Sequence, residues 1–132
     1  MVTLDTRTKL SALWLFILLN IIFRDIHQFA LASHLEMLLT GYYNGIEITE
    51  ELMLLGAVLV EIPIAMVLFS LLLSRKIGRP VTILAAIITG GILLSSAPTD
   101  LDDTFHLVIE LAAIVAILWT AWTWKEQGRA TA

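Results

Sequence analysis

The sequence lacks cysteine and contains little charge, and both absences restrict what the chain can be. Without a thiol, its 132 residues form no disulfide and offer neither a thiolate metal ligand nor a thiol nucleophile. Only 15% of the residues are charged, whereas soluble domains average about 25%. The net charge of −4 argues against a nucleic acid partner. With 58% hydrophobic residues, the chain is predicted to form one membrane-embedded domain, residues 1–132, without a removable signal peptide.

Four apolar stretches approach the length of a membrane-crossing helix, which takes roughly 20 residues. The second is the clearest, because Glu61 is its only charge. Pro80 suits the first turn of the third stretch, and the carboxylates of Asp102 and Asp103 suit the start of the fourth. We therefore expect spans at about residues 10–30, 52–73, 80–96 and 103–124. Short connections then predict an all-α, up-down-up-down four-helix transmembrane bundle.

The first apolar stretch is too short to cross a bilayer by itself. Residues 10–23 cover about 21 Å of helix, against a hydrocarbon thickness of about 30 Å. We therefore expect the helix to continue to about residue 30, which places Arg24, Asp25 and His27 within the membrane. A thinner bilayer around the helix is the alternative. Residues 31–39, which include His34, are predicted to lie along the outer interface, with a turn at residues 41–45.

The basic residues predict the orientation, because cytoplasmic loops are enriched in Lys and Arg. Seven of the eight lie on one side of the predicted bundle: Arg7, Lys9, Arg75, Lys76, Arg79, Lys125 and Arg129. We therefore expect a multi-pass protein of the plasma (inner) membrane with both termini in the cytoplasm and Arg24 on the acidic outer side. The tryptophans are expected to anchor the cytoplasmic boundary: Trp14, Trp119, Trp122 and Trp124.

Three segments, residues 9–14 (KLSALW), 62–66 (IPIAM) and 117–124 (ILWTAWTW), resemble those of an uncharacterised bacterial family of small four-span integral membrane proteins. The resemblance extends over residues 9–124 and includes Asp25 and Glu110. It implies the same topology in a bacterial inner membrane and no particular activity. Members of that family carry Tyr-Gly-Asp-Tyr where this chain has residues 23–26 (FRDI). Arg24 and His27 depart from that pattern, so the resemblance assigns any shared task to Asp25 and Glu110.

Ionisable groups inside the predicted spans define the candidate site, because each costs about 2.5–3.5 kcal/mol on insertion scales. One helical face of the first span carries Asn20, Arg24 and His27, and one face of the fourth carries Asp103, His106 and Glu110. Matching their depths predicts that Arg24 pairs with Glu110 inside a polar pocket open to the outer face, with Glu61 beneath. The candidate ligand-binding residues are Asn20, Arg24, Asp25, His27, Glu61, His106 and Glu110. The alternative is that these ion pairs only specify helix pairing.

Two other uses of the same residues follow from the spacing. His106 and Glu110 are four residues apart and are weak candidates for metal ligands, with His27, Asp25 or Asp103 nearby, although Arg24 would repel a cation. His27 and His106 are alternative axial ligands for a haem. Because a second histidine pair is missing and charges compete, we predict no cofactor.

The predicted function is the binding or transport of a small polar or ionic solute, with membrane lipids as partners. Conduction would require a homo-oligomer, because four spans enclose only a narrow pocket. The alternatives are a membrane enzyme using Glu110 or His106 as a general base or metal ligand, and an accessory subunit without chemistry. The sequence shows no nucleophile or phosphate-binding motif, which disfavours an enzyme. Small residues on the third and fourth spans, such as Gly90 and Ala113, favour close packing within the chain.

Overall fold

The computed structural model describes residues 3–125 and contains, within them, five helices and one short antiparallel hairpin. The elements in chain order are α1 (Thr6–Gln28), α2 (Ala32–Leu39), β1 (Tyr42–Tyr43), β2 (Ile46–Glu47), α3 (Glu50–Leu72), α4 (Arg75–Ser95) and α5 (Leu101–Trp122). Four of the helices, α1, α3, α4 and α5, are long and apolar enough to cross a membrane. Arg129, which the predicted orientation includes, lies outside the described residues.

The four long helices lie where the sequence predicts apolar spans, and three of them begin at a capping side chain. Asp5, Thr49 and Asp100 accept hydrogen bonds from backbone N–H groups in the first turns of α1, α3 and α5. Asp100 is therefore the N-cap of α5, and Asp102 and Asp103 lie inside its first turn. The prediction for Pro80 was wrong, because α4 already begins at Arg75 and Pro80 lies in its second turn. The missing N–H of proline removes one hydrogen bond there without ending the helix.

The helices pack as a bundle in which α1 contacts α3 and α5, and α4 contacts α3 and α5. The buried apolar core includes Leu10, Trp14, Ile17, Met66 and Ile117. Small residues allow α4 and α5 to approach closely, since a Cβ atom on Gly90 would lie 3.3 Å from Ile114 Cγ2. The predicted packing of the small residues within the chain is confirmed for Gly90 and Ala113, which are both buried.

The tryptophans occupy two different environments, and the expectation that all four act as interfacial anchors was wrong for Trp14 and Trp124. Trp119 and Trp122 are exposed, as anchors would be. Trp14 is fully buried, because it lies on the same face of α1 as Leu10 and Ile17 and enters the core. Trp124 is also buried, and its ring would lie 3.3 Å from a Cβ atom on Gly78. These two tryptophans therefore pack helices together.

We call the region where α1 ends and α5 begins the acidic end of the bundle; it comprises residues 24–28 and 99–103. The connection between α1 and α3 adjoins this region. It contains the short helix α2, where the sequence predicts an interfacial segment, and the β1–β2 hairpin, which the sequence analysis did not predict. Asn44 and Gly45 form the two-residue loop of the hairpin, and both have positive φ angles (48° and 81°), as a type I′ turn requires.

Candidate functional site

Arg24 lies at the centre of a buried ion-pair network at the acidic end. Its Nε atom donates to Asp103 Oδ1, and its Nη1 atom donates to Glu110 Oε2 at 3.0 Å. The predicted contact between Arg24 and Glu110 is therefore confirmed. Asp103 and Glu110 are seven residues apart, which places both on one face of α5. With two carboxylates and one guanidinium, the network carries a formal charge of −1.

The oxygen atoms of the two acids differ in how fully they are hydrogen bonded. Asp103 Oδ2 accepts a hydrogen bond of 2.9 Å from the backbone N–H of Thr99, so this carboxylate also holds the loop between α4 and α5. Glu110 Oε1 is buried and has no hydrogen-bond partner among residues 3–125. Buried carboxylate oxygens are normally satisfied. The network therefore retains one unused acceptor in the interior of the bundle.

A cleft of about 410 Å³ opens beside this network. Arg24, Asp25 and Asp103 contribute its charged groups, and Ile21, Val60 and Leu93 are among its apolar walls. The carboxylate of Asp25 makes no hydrogen bond or ion pair with any residue between positions 3 and 125. Asp25 is exposed and is the acidic group in this cleft that forms neither, although Arg24 and His34 are close enough to interact with it electrostatically.

Three aromatic rings from the segment after α1 also line the cleft. His34 lies between the other two, with its ring centroid 5.7 Å from that of Phe29 and 6.1 Å from that of Tyr43. We call Phe29, His34 and Tyr43 the aromatic cluster. The sequence analysis placed His34 at a membrane interface and did not connect it with the site, because the contact depends on how α2 and the hairpin fold back.

His27, Asp102 and His106 form a second cluster, with ligand atoms within 4.8 Å of one another. His27 Nδ1 lies 2.9 Å from Asp102 Oδ2, and His106 Nε2 lies 3.7 Å from Asp102 Oδ1. The other ring nitrogen of His106 lies 3.3 Å from Asn20 Oδ1. The structure thus brings Asn20, His27 and His106 together with Asp102, but in a groove apart from the cleft that contains Arg24, so the prediction that they surround Arg24 in one pocket was wrong. Asp102 is four residues before His106, and this i,i+4 spacing was the overlooked signal.

The geometry separates the remaining candidates. Glu110 pairs with Arg24 and is not in the histidine cluster, so the pairing of Glu110 with His106 as metal ligands was wrong. Asp102 contacts both imidazoles, and the centroids of the two rings are 5.7 Å apart in an edge-on arrangement.

Glu61 does not lie beneath the Arg24 network, and that prediction was wrong. Its side chain is exposed on α3, whose buried residues are Pro63, Met66 and Ser70. At about 100° per residue, all three of these point roughly 140–180° away from Glu61. The position of Glu61 along α3 does not determine which way its side chain points, and the face of α3 that packs against α1 and α4 is the opposite one.

A family model matches residues 3–131, nearly the whole chain, and its description is "Family of unknown function (DUF6326)". The chain belongs to this family. No curated protein and no solved structure matches it. The arrangement of the side chains described above therefore carries the functional argument.

Proposed function

We propose that the chain is a four-span integral membrane protein that binds a small organic cation in the cleft beside Arg24. In this proposal the helices alternate in direction, both termini lie in the cytoplasm, and the acidic end opens to the outer face of a bacterial inner membrane. The excess of basic residues at the opposite side supports the orientation. The free carboxylate of Asp25, in a cleft that also contains an aromatic cluster, is the observation that carries the proposal.

The charges favour a cation over an anion. Arg24 is the only Arg or Lys at the acidic end, and Asp103 and Glu110 accept hydrogen bonds from its Nε and Nη1 atoms. An anionic solute would reach only the remaining N–H groups of Arg24, beside two carboxylates that repel it. Asp25 adds a second net negative charge. The cleft therefore attracts positive charge, and it also excludes anions.

The walls favour an organic cation over a bare metal ion. Apolar side chains and the rings of Phe29 and Tyr43 line the cleft together with Asp25. An ammonium group within about 6 Å of an aromatic face gains about 0.5–2 kcal/mol, and its alkyl substituents pack against apolar walls. A hydrated divalent ion gains nothing from such walls, since it prefers several oxygen ligands.

Binding fits the single chain better than conduction does. Below Arg24 the bundle closes into an apolar core that includes Trp14, Ile17 and Ile117, all fully buried. Along that path, within residues 3–125, a polar solute would meet scattered buried hydroxyl groups, such as those of Thr82 and Thr120, but no buried charged group. Transport across the membrane would therefore require a second copy of the chain or a large rearrangement of the helices. We propose a homo-oligomer only if the protein transports its ligand across the membrane.

The test is a titration of the protein in lipid nanodiscs with tetramethylammonium, and with acetate as the anionic counterpart. We expect saturable binding of tetramethylammonium and none of acetate. Asp25→Asn should weaken binding at least about tenfold, equivalent to about 1.4 kcal/mol. Glu36→Gln, an exposed acid on α2 that is absent from the cleft, is the matched control and should bind normally. Equal binding by the Asp25→Asn variant, or a preference for acetate, would refute the proposal and favour an accessory role without a ligand.

A further inference from the structure

We propose that His27, Asp102 and His106 form a binding site for a divalent transition metal of the zinc class. His27 belongs to the last turn of α1, whereas Asp102 and His106 are one turn apart on α5. Two helices that are distant in sequence thus bring two imidazoles and one carboxylate to one point, with ligand atoms within 4.8 Å of one another. Two histidines and one carboxylate are a common ligand set for zinc and for non-haem iron. The site is separate from the cleft that contains Asp25, so it does not depend on the proposed function.

Asn20 orients one of the two histidines as metal sites require. His106 Nδ1 lies 3.3 Å from Asn20 Oδ1, an oxygen that only accepts hydrogen bonds. The amide group of Asn20 is itself held, because its Nδ2 atom donates to the carbonyl oxygen of Phe16 at 2.9 Å. Nδ1 of His106 must therefore carry the proton, which leaves a lone pair on Nε2 when the ring is neutral. Such a partner on the outer nitrogen is the usual support of a metal-binding histidine.

That lone pair lies near a second hydrogen-bond acceptor, the carboxylate of Asp102. His106 Nε2 lies 3.7 Å from Asp102 Oδ1, and a neutral nitrogen and a carboxylate oxygen repel each other unless a positive charge lies between them. Either a proton or a metal ion resolves this conflict. Because His27 Nδ1 approaches the other oxygen of the same carboxylate at 2.9 Å, a metal ion would satisfy three ligands at once.

The distances require only small side-chain movements. Metal–ligand distances of about 2.0–2.1 Å in a tetrahedral site place the ligand atoms about 3.3 Å apart. The three atoms are already within 4.8 Å. The side chains of His27 and Asp102 are 52% and 48% exposed, so both are able to adjust, whereas His106 is held by Asn20. The site therefore has one fixed ligand and two adjustable ones.

The surroundings also suit a cation that remains open to a further ligand. Two neutral histidines and one carboxylate give a formal charge of −1. Arg24 does not oppose a cation, since Asp103 and Glu110 outweigh its charge. His27 and His106 also line a shallow groove of about 260 Å³ with Phe23, beside the proposed metal position. Three protein ligands leave one or more coordination positions for water or a solute, which is the arrangement of catalytic rather than structural zinc sites.

The experiment is a titration of chelator-treated protein with Co²⁺, followed by displacement with Zn²⁺. The protein is purified through a tag without histidine and kept in lipid nanodiscs. We expect one Co²⁺ per chain with visible absorption bands of nitrogen and oxygen coordination, lost on adding Zn²⁺. His106→Ala and Asp102→Asn should each weaken binding more than about 100-fold, and Asn20→Leu about 10- to 100-fold, as loss of an orienting partner does.

His34→Ala is the matched control, because His34 is the one histidine of the sequence outside the proposed site and lies in the aromatic cluster. It should bind Co²⁺ as the parent protein does. Helix content by circular dichroism identifies any variant that fails to fold, and His27→Ala provides a substitution at an exposed position. Absence of stoichiometric Co²⁺ and Zn²⁺ binding by the parent protein would overturn the proposal. It would mean that a proton, and not a metal ion, lies between His106 Nε2 and Asp102 Oδ1. Unchanged binding by the folded His27→Ala and Asp102→Asn variants would overturn it as well.

Discussion

The contact between α1 and α5 is built differently in its two halves. Toward the start of α1, Leu10, Trp14 and Ile17 pack with Ile114 and Ile117 in the apolar core. Toward the acidic end, the same two helices meet through the ion pairs of Arg24 and the histidine cluster. The first half is thus held together by close packing of apolar side chains, and the second half by ion pairs and hydrogen bonds.

The difference shows which half of the contact is not explained by close packing alone. Helices in lipid associate by close packing, and small and apolar side chains suffice for that purpose. Buried ion pairs add little stability compared with apolar residues of equal volume, because removing both charges from water offsets their attraction. A bundle that needed only to hold together would not require the polar half. Both sites that we propose lie in or beside this polar half.

The largest expected effect comes from Arg24→Leu in the polar half. The substitution leaves Asp103 and Glu110 buried without a counter-charge, and losing one partner of a buried pair costs about 3–5 kcal/mol. The measurement is the free energy of unfolding in mixed micelles by added denaturing detergent. The double variant Arg24→Leu/Glu110→Leu should recover part of the loss, about 1–3 kcal/mol. A single variant as stable as the parent protein would show that the ion pairs of Arg24 do not stabilise the polar half.

An intermediate effect is expected from Ile117→Ala in the apolar half. The side chain of Ile117 is fully buried, so its truncation leaves a cavity. Soluble cores lose about 2–5 kcal/mol in such cases, and we expect about 2 kcal/mol, since lipid supplies no hydrophobic driving force between helices. Val115→Ala, at an exposed position on the same helix, should change the unfolding free energy by less than about 0.5 kcal/mol. A loss larger than that caused by Arg24→Leu would mean that the apolar half contributes more to stability than the polar half does.

The smallest effect is expected from Ser11→Ala, which removes a neutral polar contact from the apolar half. Ser11 Oγ donates to the carbonyl oxygen of Val67 at 2.7 Å and links α1 to α3. Hydrogen bonds between membrane helices contribute about 0.6 kcal/mol on average. The same unfolding assay should show a loss of that size, and Ser95→Ala, at an exposed hydroxyl bonded within its own helix, should show none. An effect above about 2 kcal/mol would mean that polar contacts matter equally in both halves.

The sequence was sufficient for the features that depend on spacing within one helix. Apolar length predicted the four long helices, and the polar faces of the first and last of them predicted that Arg24 meets Glu110. Features that depend on rotation of a helix about its axis were missed. Glu61 is the example, since α3 is apolar all round and its sequence does not reveal which face packs.

Contacts that depend on chain reversal were missed as well. The aromatic cluster forms because α2 and the β1–β2 hairpin return toward α1, and no periodicity in residues 29–49 encodes that path. Asp102 was overlooked for a different reason. It was interpreted as a helix start, whereas Asp100 is the cap and leaves the carboxylate of Asp102 available for His27.

The exposed position of Glu61 has a consequence for how α3 enters a bilayer. On insertion scales a lone acid at mid-helix disfavours membrane entry by about 2.5–3.5 kcal/mol. The thirteen Leu, Ile, Val and Phe residues of α3 favour entry by about 0.3–0.6 kcal/mol each, which is enough to outweigh that acid. The apolar composition of α3 is therefore sufficient to offset the cost of one carboxylate on its exposed face, even without a counter-ion.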